Sequence, residues 1–108
     1  MEKPSHIVVF ITANTAGEAQ QISRTLLEQK KAACINIIPK VDSHFWWEGK
    51  IDSARESLLI IKTRTSLLPD IINLVKGTHS NTVPEIIALP IIGGNQDYLE
   101  WIDQEVNP

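Results

Sequence analysis

The sequence predicts an α+β fold of ferredoxin-like type, a single domain over 1–108. Its βαββαβ sandwich carries a long hairpin arm between the second and third strands and ends in a short C-terminal helix. Three observations predict it. Short β-branched apolar runs alternate with helix-period segments in that order. Pro39 and Pro90 fall inside apolar strand runs, where a missing N–H is tolerated only on edge strands or at bulges, and both fall in the strands this topology puts at the edges. The stretch Ser43-His44-Phe45-Trp46-Trp47-Glu48-Gly49-Lys50 holds three of the six aromatic residues and reads as a strand running into a tight reversal.

The run His6 to Thr12 is short, β-branched and aromatic, as a buried first strand should be. Thr15-Ala16-Gly17-Glu18 fits a capping box for the first helix, with Ala19, Ile22 and Leu26 at helical spacing and Lys30-Lys31 suiting its negative end. A second strand is expected from about Ala33 to Trp47, interrupted at Pro39-Lys40, with Glu48-Gly49 as the turn. The return strand is expected through Ser57 to Thr63, after a polar, solvated Asp52 to Glu56. Ser66 can cap a second helix with Leu68, Ile71, Ile72 and Val75 as its apolar stripe and Gly77 as its end. The last strand is expected from Glu85 to Ile92, and a terminal helix carries Tyr98, Trp101 and Ile102.

The whole-chain properties exclude several classes. A net charge of −3 and a pI near 5.5 oppose a nucleic-acid or anionic-membrane binder, which needs a basic face. No apolar run approaches the roughly 18–20 residues of a membrane span, and Met1-Glu2-Lys3-Pro4-Ser5 lacks signal-peptide character, so the expected location is cytoplasmic. The single cysteine, Cys34, fits a reducing compartment. No nucleophile elbow, phosphate loop or HExxH motif is present, and the chain is expected not to be an enzyme.

One copy is not expected to suffice. Two helices cover one sheet face, yet Ile7 to Ile11, Leu58 to Ile61 and Ile86 to Ile92 are nearly continuous in apolar residues, which implies burial on both faces. A strand from Ala33 to Trp47 also reaches on the order of 50 Å when extended, far beyond a domain of this size. Its aromatic tip, Phe45, Trp46 and Trp47, is therefore an expected interface between copies.

The segments Ala32-Ala33-Cys34-Ile35-Asn36-Ile37, the tip Ser43 to Lys50, Lys62-Thr63, Val83-Pro84-Glu85-Ile86 and Gly94-Asn95-Gln96-Asp97-Tyr98-Leu99-Glu100-Trp101 together resemble the CutA family. The resemblance covers nearly the whole chain. It implies a homotrimer similar in architecture to PII signal proteins and a role in tolerance or homeostasis of divalent metal cations, copper among them. The alternative it raises is a PII-like signalling trimer binding a small metabolite between subunits. Two positions depart from the family pattern. Phe45 stands where a tyrosine is usual, and His79-Ser80-Asn81 replaces His-Pro-Tyr, so two phenol hydroxyls are missing.

The candidate site residues follow from these readings. Cys34 is either a small buried hydrophobe or, as the resemblance suggests, a thiolate joining His79 around copper or another divalent cation; no obligatory cofactor is expected. His79 equally suits a helix C-terminus. His44 is expected at the interface and His6 at a strand entry. Glu85, held by Pro84, and Lys62 are either charges at strand ends or, with Ser43, Trp47 and Tyr98, the lining of an inter-subunit cleft for a small anion or metabolite. Tyr98 and Trp101 otherwise read as core anchors.

Overall fold

The computed structural model describes residues 4–108, so Met1-Glu2-Lys3 of the N-terminal segment considered above lie outside the described residues. In chain order the elements are β1 (His6–Ala13), α1 (Ala16–Glu28), β2 (Cys34–Trp47), β3 (Lys50–Arg64), a 3-10 turn (Thr65–Leu67), α2 (Leu68–Thr78), β4 (Ile86–Pro90) and α3 (Gln96–Glu105). The antiparallel sheet has the order β2-β3-β1-β4. The expected central and edge strands are therefore the observed ones.

α1 starts as its sequence dictates. The Thr15 side chain accepts from the Glu18 amide, and the Glu18 carboxylate accepts from the Asn14 amide, one residue beyond the usual capping-box partner. It ends on a Schellman motif: the Lys31 amide donates to the Leu26 carbonyl and the Lys30 amide to the Leu27 carbonyl. Lys30 takes the left-handed position at φ 55 that glycine usually fills. The Lys31 ammonium then reaches Asp70 at 3.0 Å and joins α1 to α2.

α2 departs from expectation at both ends. A 3-10 turn intervenes, so Leu67, without a side-chain cap, stands where Ser66 was expected, and the helix runs through Gly77 to Thr78. The buried His79 closes it in extended conformation, its amide donating to the Val75 carbonyl. β3 is also longer than expected. Its polar first half pairs fully with β2, because backbone ladders form whether or not the side chains meet water. β4 is shorter, and Ile92 is fully outside it.

Burial alternates along β1, with Ile7, Val9, Ile11 and Ala13 against the helices. Leu59 and Ile61 of β3 join them, with Ala19, Ile22 and Leu26 of α1 and Ile71 and Val75 of α2. Leu59 is wholly inaccessible and pairs with Ile11. Leu59→Ala is expected to destabilise the subunit by about 2–5 kcal/mol, read as a lower urea midpoint with an unchanged slope.

The opposite face is apolar as well. Val8, Phe10, Leu58 and Ile60 are half-buried on it, and Ile38, Ile87 and Leu89 are 45%, 52% and 44% exposed. α3 lies over one end only. Its anchors are Ile102 and Val106, both buried, while Tyr98 and Trp101 stack at 5.4 Å and stay partly exposed, so they are not the core anchors expected. Asp103 accepts from His6 at 2.8 Å and from Arg64, tying the helix to β1 and β3.

β2 and β3 continue past the helices as the arm. Glu48 and Gly49, at φ 50 and φ 80, form the two-residue turn between the paired Trp47 and Lys50, with both central residues left-handed as such a hairpin needs. Pro39 and Lys40 together lie opposite Ser57, a bulge between the pairs Ile38/Leu58 and Val41/Glu56. The extra residue inverts the side-chain parity of β2. Cys34, Asn36 and Ile38 share the apolar face before it, and Val41, Ser43, Phe45 and Trp47 share that face after it.

Candidate functional site

That inversion builds a groove. Ser43, Phe45 and Trp47 form one wall with Asp52, Ala54 and Glu56 of β3, and the segment from Ser80 to Val83 with Glu85 forms the other. Thr12 and Asn14, at the end of β1, lie between them, and the volume of this open groove is about 820 Å3. The Asn14 amide nitrogen Nδ2 donates to Ser80 Oγ and to Asn81 Oδ1, each at 2.7 Å. Ser80 and Asn81, at the departure from the family pattern, thus cross-link the loop after β1 to the loop before β4.

Glu18 supports the same junction from below. Burial alone would raise its carboxyl, but hydrogen bonds from the Asn14 amide and from the Ser80 side chain and amide, together with the neighbouring His79, outweigh that and hold it below the ordinary 4.5. Asp103 is similar: burial raises it, and hydrogen bonds from His6 and Arg64 outweigh burial and lower it below 3.8. A carboxyl depressed in the folded state contributes stability that is present above its unfolded value and lost as pH falls through the folded one. Urea midpoints are therefore expected to fall steadily below about pH 4.5, and Glu18→Gln to flatten that acid limb while lowering the midpoint at pH 7.

The structure divides the expected site residues into two groups. Ser43, Trp47 and Glu85 meet at the groove, where Glu85 has no ion-pair partner among the described residues. Lys62 and Tyr98 lie at the other end of the sheet with Cys34, which pairs with Lys62 across β2 and β3. Burial and then the adjacent Cys34 thiol raise the Tyr98 phenol above its ordinary 10.0. The Lys62 ammonium donates to Asn36, so Lys62 and Glu85 do not pair.

The expected metal pair does not meet within one chain either. His79 is packed beneath the groove; its Nδ1 accepts from the Asn81 amide at 3.0 Å and its Nε2 faces the Thr12 carbonyl at 2.7 Å. Both ring nitrogens are thus committed to backbone, which leaves no lone pair for a cation. Cys34 stands at the opposite end, and among the described residues no three His, Cys, Asp or Glu side chains group to hold a metal ion. The residues of one chain therefore do not fit copper.

The tip is likewise divided. Phe45 and Trp47 face the groove and His44, paired with Ser53, borders it, whereas Trp46, 72% exposed, pairs with Ile51, 70% exposed, on the other side of the arm. Asp52, Glu56, Asn14, Ser80 and Asn81 were missed by sequence reasoning. The available signal was the bulge at Pro39-Lys40, which decides which arm residues share a face.

The sheet order, the arm and the groove beneath it define a ferredoxin-like α+β protein whose hairpin walls a ligand-sized groove. The chain belongs to the family described as CutA1 divalent ion tolerance protein, which matches residues 7–105. It is 48% identical over 96 residues to the chloroplastic protein CutA 1 of Oryza sativa, across 89% of this chain and 54% of that one. To the divalent-cation tolerance protein CutA of Archaeoglobus fulgidus it is 46% identical over 101 residues, across 94% and 98%. It thus spans about half the length of the plant relative and nearly all of the archaeal one. Among solved structures, CutA1 of Oryza sativa superposes with a TM-score of 0.93 at 44% identity, covering 96% of this chain and 95% of that one. CutA1 of Shewanella sp. SIB1 does so with 0.95 at 38% identity, covering 99% and 100%.

Among the described residues no helix is long and apolar enough to cross a membrane. The rice relative is described as chloroplastic and the Archaeoglobus fulgidus structure as periplasmic, so relatives do not support the cytoplasmic expectation.

Proposed function

We propose that the chain acts in divalent-metal tolerance, copper included, as a homotrimer that binds its ligand in inter-subunit clefts and does not turn it over. The carrying observation is the division of the cleft residues. Ser43, Trp47 and Glu85 lie at one end of the domain and Cys34, Lys62 and Tyr98 at the other, with an uncovered apolar face between. Head-to-tail contact through that face sets one copy's groove beside the next copy's Cys34 end, and such contacts close into a ring. The family resemblance makes the ring a trimer, and the lone cysteine keeps the cytoplasm as its place.

Sedimentation at micromolar concentration tests the assembly, with a monomer overturning it. Calorimetric titration with Cu(I), Cu(II) and Zn(II) on the wild type, Cys34→Ser and His79→Ala tests direct metal binding. Saturable heat lost in Cys34→Ser but kept in a folded His79→Ala supports a thiolate site assembled from several chains. No saturable heat removes direct binding. The second reading, a PII-like trimer binding a metabolite, is favoured by the groove itself, whose volume of about 820 Å3 is that of a small-molecule site.

A further inference from the structure

We propose that the groove takes an organic cation, an alkylammonium compound, in preference to an anion or a bare metal ion. This rests on the metabolite-binding reading above and names the charge class of the occupant, where the sequence reading left a small anion or a metabolite open.

Three carboxylates, Asp52, Glu56 and Glu85, line the groove with one imidazole, His44, and no lysine or arginine does. Even Lys62 supplied by a neighbouring copy leaves the lining acidic. An anion would meet more negative charge than the single imidazole of His44 could neutralise, whereas an ammonium group would find its counter-ions in place. Size argues against a metal ion alone. The space is far larger than one ion needs, and no three His, Cys, Asp or Glu side chains among the described residues group to hold one.

The remaining walls suit the carbon skeleton of such a ligand. Phe45 and Trp47 stand two residues apart on one strand face, 38% and 51% exposed, and Phe45 pairs directly with Asp52. An aromatic surface beside a carboxylate takes a methylene chain on the rings and its charged end on the acid, with cation–π attraction added. Between the walls, Asn14 Nδ2 is already spent on Ser80 and Asn81. Ser80 Oγ and Asn81 Oδ1 each accept one of these bonds and keep a second lone pair, and the Thr12 hydroxyl adds a further acceptor for N–H donors.

The test is calorimetric titration with diaminopentane, pentanediol and glutarate, chains of equal carbon number that are doubly positive, neutral and doubly negative. Saturable binding of the diamine alone, weakened by added salt, is the expected result. Glu85→Gln and Trp47→Ala should each raise its Kd about 5-fold or more, and Glu28→Gln, remote on α1, should leave it unchanged. No saturable heat with the diamine, or binding of the diol or glutarate as tight as the diamine's, overturns the assignment. Sedimentation of the same samples separates the two readings. A trimer that ignores the diamine sinks the charge assignment alone, while a monomer that binds it sinks the assembly and leaves the assignment standing.

Discussion

Deleting Pro39 is expected to leave a folded subunit with a regular β2–β3 ladder and the same arm residues facing the groove. In the native strand Pro39 and Lys40 share one partner, Ser57, and Ser43, Phe45 and Trp47 lie on the groove side. Without Pro39, Lys40 alone faces Ser57, Val41 stays opposite Glu56 and Phe45 opposite Asp52, so every later β2 side chain keeps its face. Phe45 and Trp47 therefore still line the groove. The core lies behind the bulge, so the cost to the subunit should stay within about 1–2 kcal/mol. Diamine binding should stay within about threefold of the wild type, because the aromatic wall and its pairing with Asp52 are both kept. Circular dichroism and urea midpoints check the first expectation and calorimetry the second. A deletion variant whose Kd rises about tenfold or more would show that the local bend at the bulge, and not the facing of the side chains alone, sets the wall.

What the sequence disclosed and what it hid divide along the range of the interaction. The Thr15/Glu18 cap, the Glu48-Gly49 turn, the strand order and the edge placement of both prolines were legible, since each rests on residues close in sequence or on a topological rule. Local signals failed where tertiary packing overrode them. Gly77 does not end α2, because His79 buries its ring and ends the helix with its own hydrogen bonds to Thr12 and Asn81. Tyr98 and Trp101 do not anchor α3, because Ile102 and Val106 face the sheet instead. The grouping of site residues was the least legible. Cys34 and His79 suit a soft cation by chemistry, but only the register of β1 against β2 and β3 shows them at opposite ends.

Ile87→Asp is expected to yield a folded monomer under conditions where the wild type assembles. Ile87 lies on the apolar face opposite the helices, pairs with Phe10 and is 52% exposed in the single chain. A carboxylate there can still reach water from an isolated subunit, so folding should lose no more than about 1–2 kcal/mol. In the proposed ring the same carboxylate is enclosed against a neighbour's apolar surface without a counter-ion. Burying it unpaired costs several kcal/mol per copy, and a ring repeats that cost at every interface. Sedimentation velocity at micromolar concentration should therefore show a monomer whose circular dichroism matches the wild type. Val9→Asp is the contrast, since Val9 is wholly inaccessible on the helix side and its replacement should unfold the subunit. An Ile87→Asp protein that keeps the wild-type sedimentation coefficient would place the contact between copies elsewhere. The exposed Trp46 and Ile51 on the outer side of the arm would then be the next surface to test.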